Sequence, residues 1–143
     1  MDKTHFFRMK IPLYEVDVGG GVYHGNYYHL FELARESLLA DIGFPYKKIM
    51  EMGNHLTVAE AQCRYKKPLQ YNDEIEIRSK IKKITSRSLV FDQEIWDYED
   101  NELKTVLSIY LVCINNNGRA AIFPQKLKEA LESWKNDKNN SKQ

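Results

Sequence analysis

The residues best suited to chemistry lie in one glycine-rich stretch near the N-terminus, Tyr14 to Tyr28. It carries an aspartate, Asp17, and a histidine, His24, separated by a run of glycines. An aspartate can act as a general base or as a nucleophile. A glycine-rich loop that leads into a helix leaves backbone N–H groups free to bind an oxyanion. The stretch therefore predicts an active site in which a carboxylate and polarised amides face one carbonyl group.

Length and composition indicate an ordinary single domain, which we place at residues 1–134 and follow with a polar tail, 135–143. The net charge of +1 implies no bulk attraction to nucleic acid. No apolar run is long enough to span a bilayer, and the N-terminus lacks the apolar segment of a signal peptide. Cys63 and Cys113 are isolated within apolar strand patterns, which is typical of core thiols in a reducing compartment. We therefore expect a cytoplasmic protein.

Two elements must position the glycine-rich stretch. Before it, Phe6 to Tyr14 predicts a first strand at a sheet edge, because Pro12 cannot donate a ladder hydrogen bond. After it, apolar residues recur at helical spacing until Gly43 and Pro45 end the pattern. We expect Asn26 to cap this helix. Its apolar residues, with Leu33 and Leu39 widening the face, predict burial on much of its circumference: Tyr27, Leu30, Phe31, Ala34, Leu38 and Ile42.

Beyond a short helix at residues 45–52, the apolar period changes to two, which indicates β-strands. The predicted strands are His55–Tyr65, Glu74–Ile84, Ser88–Asp97, Leu103–Ile114 and a short Arg119–Ile122. The alternation places Thr57, Ala59, Ala61 and Cys63 on one face of the first of these and gives the second one charged, wet face. On the fourth it places Leu103 on the same face as Leu107, Ile109, Leu111 and Cys113. Apolar residues after Pro124 predict a C-terminal helix.

This order of elements predicts an α+β fold in which a curved antiparallel sheet of five to six strands wraps around one long buried helix. A C-terminal helix completes it. The strand Leu103–Ile114 is apolar on both faces, which indicates a central strand or a subunit interface. We therefore expect a second copy to cover part of the sheet, in a homodimer or a homotetramer built as a dimer of dimers.

The pattern Asp17-x-x-Gly20-x-Val22-Tyr23-His24-x-Asn26-Tyr27, followed by Phe31-Glu32-x-Ala34-Arg35, resembles the signature of the hot-dog-fold thioesterases. The most similar branch is the 4-hydroxybenzoyl-CoA thioesterase and Tol-Pal-associated acyl-CoA thioesterase group. The resemblance continues, in the family's order, through Tyr65-x-Lys67-Pro68, Asp73-Glu74-Ile75, Leu111-Val112-Cys113-Ile114, Gly118-Arg119 and Pro124. One residue departs from it. The family usually has a β-branched or other apolar residue where this chain has Gly21, and glycine is expected to loosen the loop.

The resemblance implies a catalytic role for Asp17 and for the start of the helix, where the amides of His24 and Gly25 would polarise the thioester carbonyl. His24 could also orient Asp17 or the attacking water, bond the thioester, or make one structural hydrogen bond. The alternative for Asp17 is a loop aspartate that merely bonds nearby amides.

Several further residues are candidates for substrate binding. The list comprises Tyr14, Gly20, Val22 and Asn26 around the loop, Thr57, Val58 and Ala59 on the strand with which the facing subunit would cover an acyl slot beside the helix start, and Lys67, Arg87 and Ser88 near the phosphates of coenzyme A. Tyr14 either places its hydroxyl near Asp17 or is buried at the end of its strand. Glu32 and Arg35, three apart on the helix, predict an ion pair at the surface or in an interface.

The predicted activity is hydrolysis of an acyl-CoA to free coenzyme A and a carboxylic acid. No cofactor is expected, because coenzyme A is part of the substrate. A metal is not expected either, since His24, His29 and Glu32 fit no familiar zinc spacing. Three alternatives stay open: hydrolysis of acyl-carrier-protein thioesters, a dehydratase acting on the same carrier, and a non-catalytic acyl-CoA-binding protein. The apolar helix face offers no inward acid for a dehydratase, and a pure binder has no need of Asp17 beside the carbonyl.

Overall fold

The computed structural model describes residues 3–137 and shows one five-stranded antiparallel sheet with helices packed on it. The elements in chain order are β1 (His5–Lys10), α1 (Tyr27–Asp41), α2 (Tyr46–Glu51), β2 (Asn54–Tyr65), β3 (Glu74–Ile84), β4 (Ser88–Asp97), β5 (Glu102–Asn115) and α3 (Gln125–Asn136). Two short 3-10 turns, Leu13–Glu15 and His24–Asn26, lie between β1 and α1. Within the described residues, no helix is long and apolar enough to cross a membrane. The predicted α+β class is confirmed.

The strands are arranged in the order β1-β3-β4-β5-β2, so that β1 and β2 form the two edges. The edge position predicted for the first strand is therefore confirmed, but the strand ends at Lys10 and not at Tyr14. Beyond Pro12 the chain turns back on itself, because Glu15 N–H donates to the Pro12 carbonyl and Val16 N–H to the Leu13 carbonyl. This 3-10 turn replaces the last part of the predicted strand.

The long helix α1 is buried along one side, and Gly43 ends it with a φ of +91°, which favours glycine. Its predicted apolar face is largely correct, and Leu39 is buried. Leu33 is not, since 40% of it is exposed and the helix presents it to solvent in the single chain. The prediction of a Glu32–Arg35 surface pair is wrong as well: Arg35 is 8% exposed, and its guanidinium donates to Gln93 Oε1 on β4.

The edge strand β2 contains a bulge that changes which side chains face the helices. Val58 pairs with Leu111 and Glu60 with Tyr110, so Ala59 is the extra residue. Residues opposite one another share a face, and the partners of Leu56, Val58, Ala61 and Cys63 are all buried residues of β5. Thr57 therefore lies on the opposite face from Ala61, and the prediction that Thr57, Ala59, Ala61 and Cys63 share one face is wrong.

A second irregularity corrects the predicted face of β5. Trp96 pairs with Leu103 while Ile95 pairs with Thr105, so the register shifts by one residue at Lys104. Leu103 consequently lies on the outer face with Trp96, and Thr105 takes the buried inner position.

The outer face of β3 is less wet than its alternation suggests, because Glu76 on that face is buried. Its carboxylate bonds the guanidinium groups of Arg8 and Arg78, each at 2.9 Å. Arg8 stacks on Tyr98 and Arg78 on Trp96, which shields the carboxylate from water.

The C-terminal region keeps the predicted turn and helix but not the short strand. Gly118 turns the chain with a φ of +77°, and residues 119–122 form only a single bridge, Ala120 to Ile114. Helix α3 packs Leu127 and Leu131 into the core and continues to Asn136, so residues 135 and 136 of the predicted tail are helical. The rest of that tail, from 138 to 143, lies outside the described residues.

Candidate active site

Asp17 lies in a tight hairpin formed by the glycine-rich stretch. Val16 and Val22 form an antiparallel bridge, and the Asp17 N–H donates to the Gly21 carbonyl at 3.0 Å. The Gly20 N–H closes the tip by donating to the Asp17 carbonyl, also at 3.0 Å. Gly20 has a φ of +89°, so this turn requires glycine there. The loop therefore has a defined conformation that holds Asp17 at its tip.

The Asp17 carboxylate is exposed, and its two oxygens differ. Oδ1 accepts a hydrogen bond of 2.9 Å from the Gly19 N–H, the local contact that a loop aspartate commonly makes. Oδ2 has no hydrogen-bond partner among residues 3–137. One oxygen thus orients the carboxylate, and the other is available to a substrate or a water molecule.

A neighbouring loop, residues 69–71, anchors the hairpin to the first turn of α1. Val22 N–H donates to the Leu69 carbonyl at 2.8 Å, and Gly21 forms a bridge with Gln70. The Leu69 N–H in turn donates to the hydroxyl of Tyr27, the first residue of α1, at 3.0 Å. Burial raises the pKa of Tyr27, so its hydroxyl stays neutral in this role. The hairpin and the helix are thereby connected through one buried tyrosine.

The 3-10 turn His24–Asn26 leads directly into α1. Among residues 3–137, the backbone N–H groups of His24 and Gly25 donate to no other residue. Free amides at the start of a helix carry partial positive charge and suit an oxyanion. Asn26 is not the cap expected from its type: it makes no capping hydrogen bond, and its Nδ2 donates to the Glu15 carbonyl at 3.1 Å.

His24 is exposed and packs against Tyr65 from the end of β2. The ring centroids are 4.9 Å apart in an edge-to-face arrangement, and the Tyr65 hydroxyl donates to the His24 carbonyl at 3.1 Å. Burial, followed by contact with Cys63, raises the pKa of Tyr65, so the hydroxyl remains a donor. Burial likewise raises the pKa of Cys63, which argues against a thiolate at this place.

Gly21, where the family usually has an apolar residue, has a backbone conformation that does not require glycine. Gly21 does not have a positive φ, and the nearest atom that an added Cβ would meet is the Leu69 carbonyl oxygen at 3.7 Å. A Cβ at this position therefore meets only an ordinary van der Waals contact. Gly25 differs, because a Cβ there would approach the Tyr23 ring to 3.1 Å.

The other residues predicted to contact the substrate differ in how exposed they are. Tyr14 is 80% exposed in the first 3-10 turn, and not buried at a strand end, while Val22 is buried in the core. Val58 is 52% exposed on the edge strand next to the bulge at Ala59, with Thr57 on the other face. Of these three, Val58 lines a cavity together with Arg35 and Leu39 of α1.

The residues predicted to meet coenzyme A phosphates also differ in their surroundings. The Lys67 ammonium already forms an ion pair with Glu102, whose pKa it lowers. Ser88 is buried, and its hydroxyl bonds that of Thr85. Arg87 is exposed in the turn between β3 and β4, and its guanidinium has no partner in the described part of the chain.

A small cavity of about 110 Å³ opens between α1 and the edge strand β2. Its lining combines apolar side chains with the buried Arg35 and with acids at its rim, and comprises Glu32, Arg35, Glu36, Leu39, Tyr46, Leu56, Val58, Phe91 and Leu111. Burial lowers the pKa of Arg35, which the nearby Glu32 and Glu36 oppose.

Sequence reasoning missed two residues that build this site, Tyr65 and Glu15. In the sequence, Tyr65 is marked only by the resemblance, within Tyr65-x-Lys67-Pro68, which implies no role for it. Glu15 lies inside the glycine-rich stretch but is 3% exposed, and its carboxylate lies 3.2 Å from His29 Nδ1. An acid next to an exposed loop ordinarily indicates a solvated side chain, so nothing in the local pattern predicted its burial.

Comparison with known proteins gives a consistent result. Residues 19–104 match the model of the thioesterase superfamily. The acyl-CoA thioester hydrolase YbgC of Escherichia coli is 31% identical over 114 residues, which are 78% of this chain and 84% of that protein. A protein of Aquifex aeolicus is 32% identical over 126 residues, 88% of this chain and 96% of its own. The solved structure of a DHNA-CoA thioesterase from Staphylococcus aureus superposes with a TM-score of 0.85 at 26% identity, covering 91% of this chain and 89% of that one.

Proposed function

Since this chain belongs to the thioesterase superfamily, has the hot-dog fold and is a thioester hydrolase, we propose that it hydrolyses acyl-CoA to coenzyme A and a carboxylic acid. The identity to the E. coli acyl-CoA thioester hydrolase supports coenzyme A as the carrier. The reaction needs water and the chain's own residues, and it takes coenzyme A as part of the substrate. The acyl group itself is left open between aliphatic and aromatic.

The proposal rests on one observation: a carboxylate oxygen and two backbone amides, all without hydrogen-bond partners in the described part of the chain, lie on the two arms of one short hairpin. Asp17 Oδ2 and the N–H groups of His24 and Gly25 have no partners among the described residues, and one short hairpin connects them. In the proposed reaction the amides hold the thioester oxygen as it becomes negative. Asp17 either removes a proton from the attacking water or attacks the carbonyl to form an anhydride. The thiolate of coenzyme A then leaves and takes up a proton. In the second route, water afterwards hydrolyses the anhydride, which releases the carboxylic acid and restores Asp17.

His24 takes a supporting role in this proposal. Its backbone amide belongs to the oxyanion site, and its imidazole is exposed beside Tyr65. From there the ring either orients the water or bonds the thioester. Gly25 supplies the second amide, and a Cβ at this position would approach the Tyr23 ring to 3.1 Å.

We further propose that a second copy of the chain completes the site, in a homodimer or a homotetramer. The long edge strand β2 has one side without a partner strand, and it exposes Val58 beside the cavity along α1. Unpaired strand edges favour pairing with another chain. A partner placed there would close the acyl slot, which a single chain leaves open.

The test is a release assay for free thiol, using a panel of aliphatic and aromatic acyl-CoA substrates. Asp17→Asn keeps the size and the Gly19 contact but removes the charge, and we expect it to lower kcat by about 1,000-fold or more. Asp100→Asn, an exposed acid in the turn between β4 and β5, is the matched control and should retain full activity.

Three results would contradict the proposal in different ways. Full activity of Asp17→Asn would remove this residue from the mechanism. Binding of acyl-CoA without turnover, at saturation, would indicate a non-catalytic binding protein. Hydrolysis of acyl-carrier-protein thioesters alone would change the carrier but keep the reaction.

A further inference from the structure

Glu15 is buried beside Asp17, and the proposed reaction gives its carboxylate no task. It ends the 3-10 turn Leu13–Glu15, two positions before Asp17, with only 3% of its surface exposed. Burial of a carboxylate costs free energy unless hydrogen bonds compensate for lost water. The side chain therefore needs an explanation in its contacts.

The Glu15 N–H closes its own turn by donating to the Pro12 carbonyl. The other contacts of Glu15 reach the segment that begins α1, at positions three apart, two through its backbone carbonyl and one through its carboxylate. The Tyr23 N–H donates to the Glu15 carbonyl at 3.4 Å, and Asn26 Nδ2 donates to the same oxygen at 3.1 Å. His29 Nδ1 lies 3.2 Å from the Glu15 carboxylate. Residues three apart lie on one side of a helical turn. The backbone of residue 15 thus contacts the helix start at two levels, and the Glu15 carboxylate adds a third contact, to His29, that depends on the side chain.

The contacts of Glu15 connect the loop that carries Asp17 with the helix start that carries the oxyanion amides. Asp17 follows Glu15 on the same arm of the hairpin, and the free amides of His24 and Gly25 lie between Tyr23 and Asn26 on the other arm. The distance between carboxylate and amides must match one tetrahedral carbon. A displacement of about 1 Å can reduce a rate by about 100-fold, because the reacting groups lose their alignment.

We propose that Glu15 is a positioning residue that, with His29, holds the Asp17 loop against the oxyanion amides of the thioesterase site. The inference rests on the proposed function, since it assigns Glu15 a role relative to Asp17. Loss of the Glu15 carboxylate should therefore lower kcat and leave KM nearly unchanged. The candidates for phosphate contact, Lys67 and Arg87, lie on other loops, so Glu15 has no contact with the part of the site that would bind coenzyme A.

Glu76 offers a matched control for burial alone. It is another buried glutamate, and its ion-pair partners Arg8 and Arg78 lie on the outer face of the sheet. Loss of either carboxylate should destabilise the protein. Only the loss of Glu15 should change the chemistry when both variants are assayed well below their unfolding temperatures.

The experiment measures kcat and KM for acyl-CoA hydrolysis in Glu15→Ala, Glu15→Gln, His29→Ala and Glu76→Ala. We expect Glu15→Ala to lower kcat about 10- to 100-fold with KM changed less than about two-fold. His29→Ala should fall in the same direction by a smaller factor. Glu15→Gln, which can still accept from His29, should restore kcat to within about three-fold of the wild type. Glu76→Ala should keep both constants.

The possible outcomes separate this inference from the proposed function. A wild-type protein that releases no thiol overturns the proposed function. An active wild type with inactive Asp17→Asn, but with unchanged kcat in Glu15→Ala and His29→Ala, overturns only the role of Glu15, as does a change confined to KM. If Glu15→Ala does not fold, His29→Ala decides, because His29 is exposed and its replacement removes the same contact.

Discussion

The Tyr65 hydroxyl donates a hydrogen bond of 3.1 Å to the backbone carbonyl of His24, although the two residues are 41 positions apart in the chain. Their rings also meet edge to face at 4.9 Å. The carbonyl belongs to the turn whose amides we assign to the oxyanion site. The end of the edge strand β2 therefore fixes the orientation of the turn that begins α1.

Tyr65→Phe removes this hydrogen bond and retains the ring. A neutral hydrogen bond contributes about 0.5–1.5 kcal/mol, so we expect kcat to fall about 3- to 10-fold, with little change in the circular-dichroism spectrum. Tyr98→Phe, on the outer face of the sheet, is the control. Unchanged kcat in Tyr65→Phe would show that the bond does not position the amides.

The effect of Tyr65→Phe should also be independent of pH over the neutral range. Burial raises the pKa of Tyr65 above its ordinary value of about 10. A raised pKa means that the contribution of the protonated hydroxyl is fully present below about pH 10 and is lost only as the pH rises through the folded-state value. The ratio of wild-type to variant kcat should stay constant from about pH 6 to 9. A ratio that falls within this range contradicts the assignment.

Gly21→Val should stabilise the protein, whereas Gly20→Val should destabilise it. A Cβ at Gly21 meets nothing closer than 3.7 Å, and the backbone is extended there, so the substitution mainly reduces the entropy of the unfolded chain. We expect a gain of about 0.5–1 kcal/mol in the free energy of unfolding. Gly20 has a φ of +89°, which strains any side chain. Denaturant unfolding of the two variants measures the difference, and a loss of stability in Gly21→Val would contradict it.

Arg35→Met should cost about 1–3 kcal/mol in the free energy of unfolding, because Gln93 Oε1 loses its donor inside the core. The same Gln93 donates to the Phe31 carbonyl and to Ser79, so the change reaches both the helix and β3. Glu32→Gln should have little effect, since Glu32 is exposed and makes no ion pair with Arg35 within the described chain. Equal losses in the two variants would restore the surface-pair interpretation.

Val58→Lys should weaken assembly and lower activity together, because it places a charge on the unpaired edge of β2. Sedimentation velocity measures the oligomeric state, and the thiol assay measures activity. Asn117→Lys adds the same charge in an exposed turn and serves as the control. A wild-type protein that is monomeric and fully active would contradict the proposed second copy.

Arg87→Gln should raise KM for acyl-CoA about 3- to 10-fold without changing kcat, since its unpaired guanidinium suits a phosphate. Lys67→Gln should act more weakly, because Glu102 already neutralises Lys67. Acyl-pantetheine, which lacks the nucleotide phosphates, should show no effect of Arg87→Gln. The difference should shrink at high ionic strength, as the contact is exposed. An equal effect on both substrates would assign Arg87 another role.

Much of the fold could be predicted because its signals are local. The alternation in β3 and β4 gave the bounds of both strands as the structure has them, and helical spacing located α1 within one residue. The errors occur where a distant partner decides. Thr57 and Leu103 were assigned to the wrong faces because bulges at Ala59 and Lys104 depend on how β2 and β4 pair with β5. A one-residue insertion reverses every following side chain, and a strand read alone does not show it.

By itself the sequence determined the order of elements and the chemical character of the site. Spacing within a few residues was enough for both, since it brought Asp17, the glycines and His24 into one loop before a helix. Only the tertiary structure decided which groups hold them. Tyr65 approaches His24 from a residue separation of 41, and Arg35 finds Gln93 across 58 positions. The first contact depends on where β2 ends relative to the turn before α1, and the second on where β4 lies relative to α1. Glu15 contacts the segment from Tyr23 to His29, which the folded chain brings against its turn. Local sequence patterns do not predict contacts between residues that are distant in the chain and come together only in the folded protein.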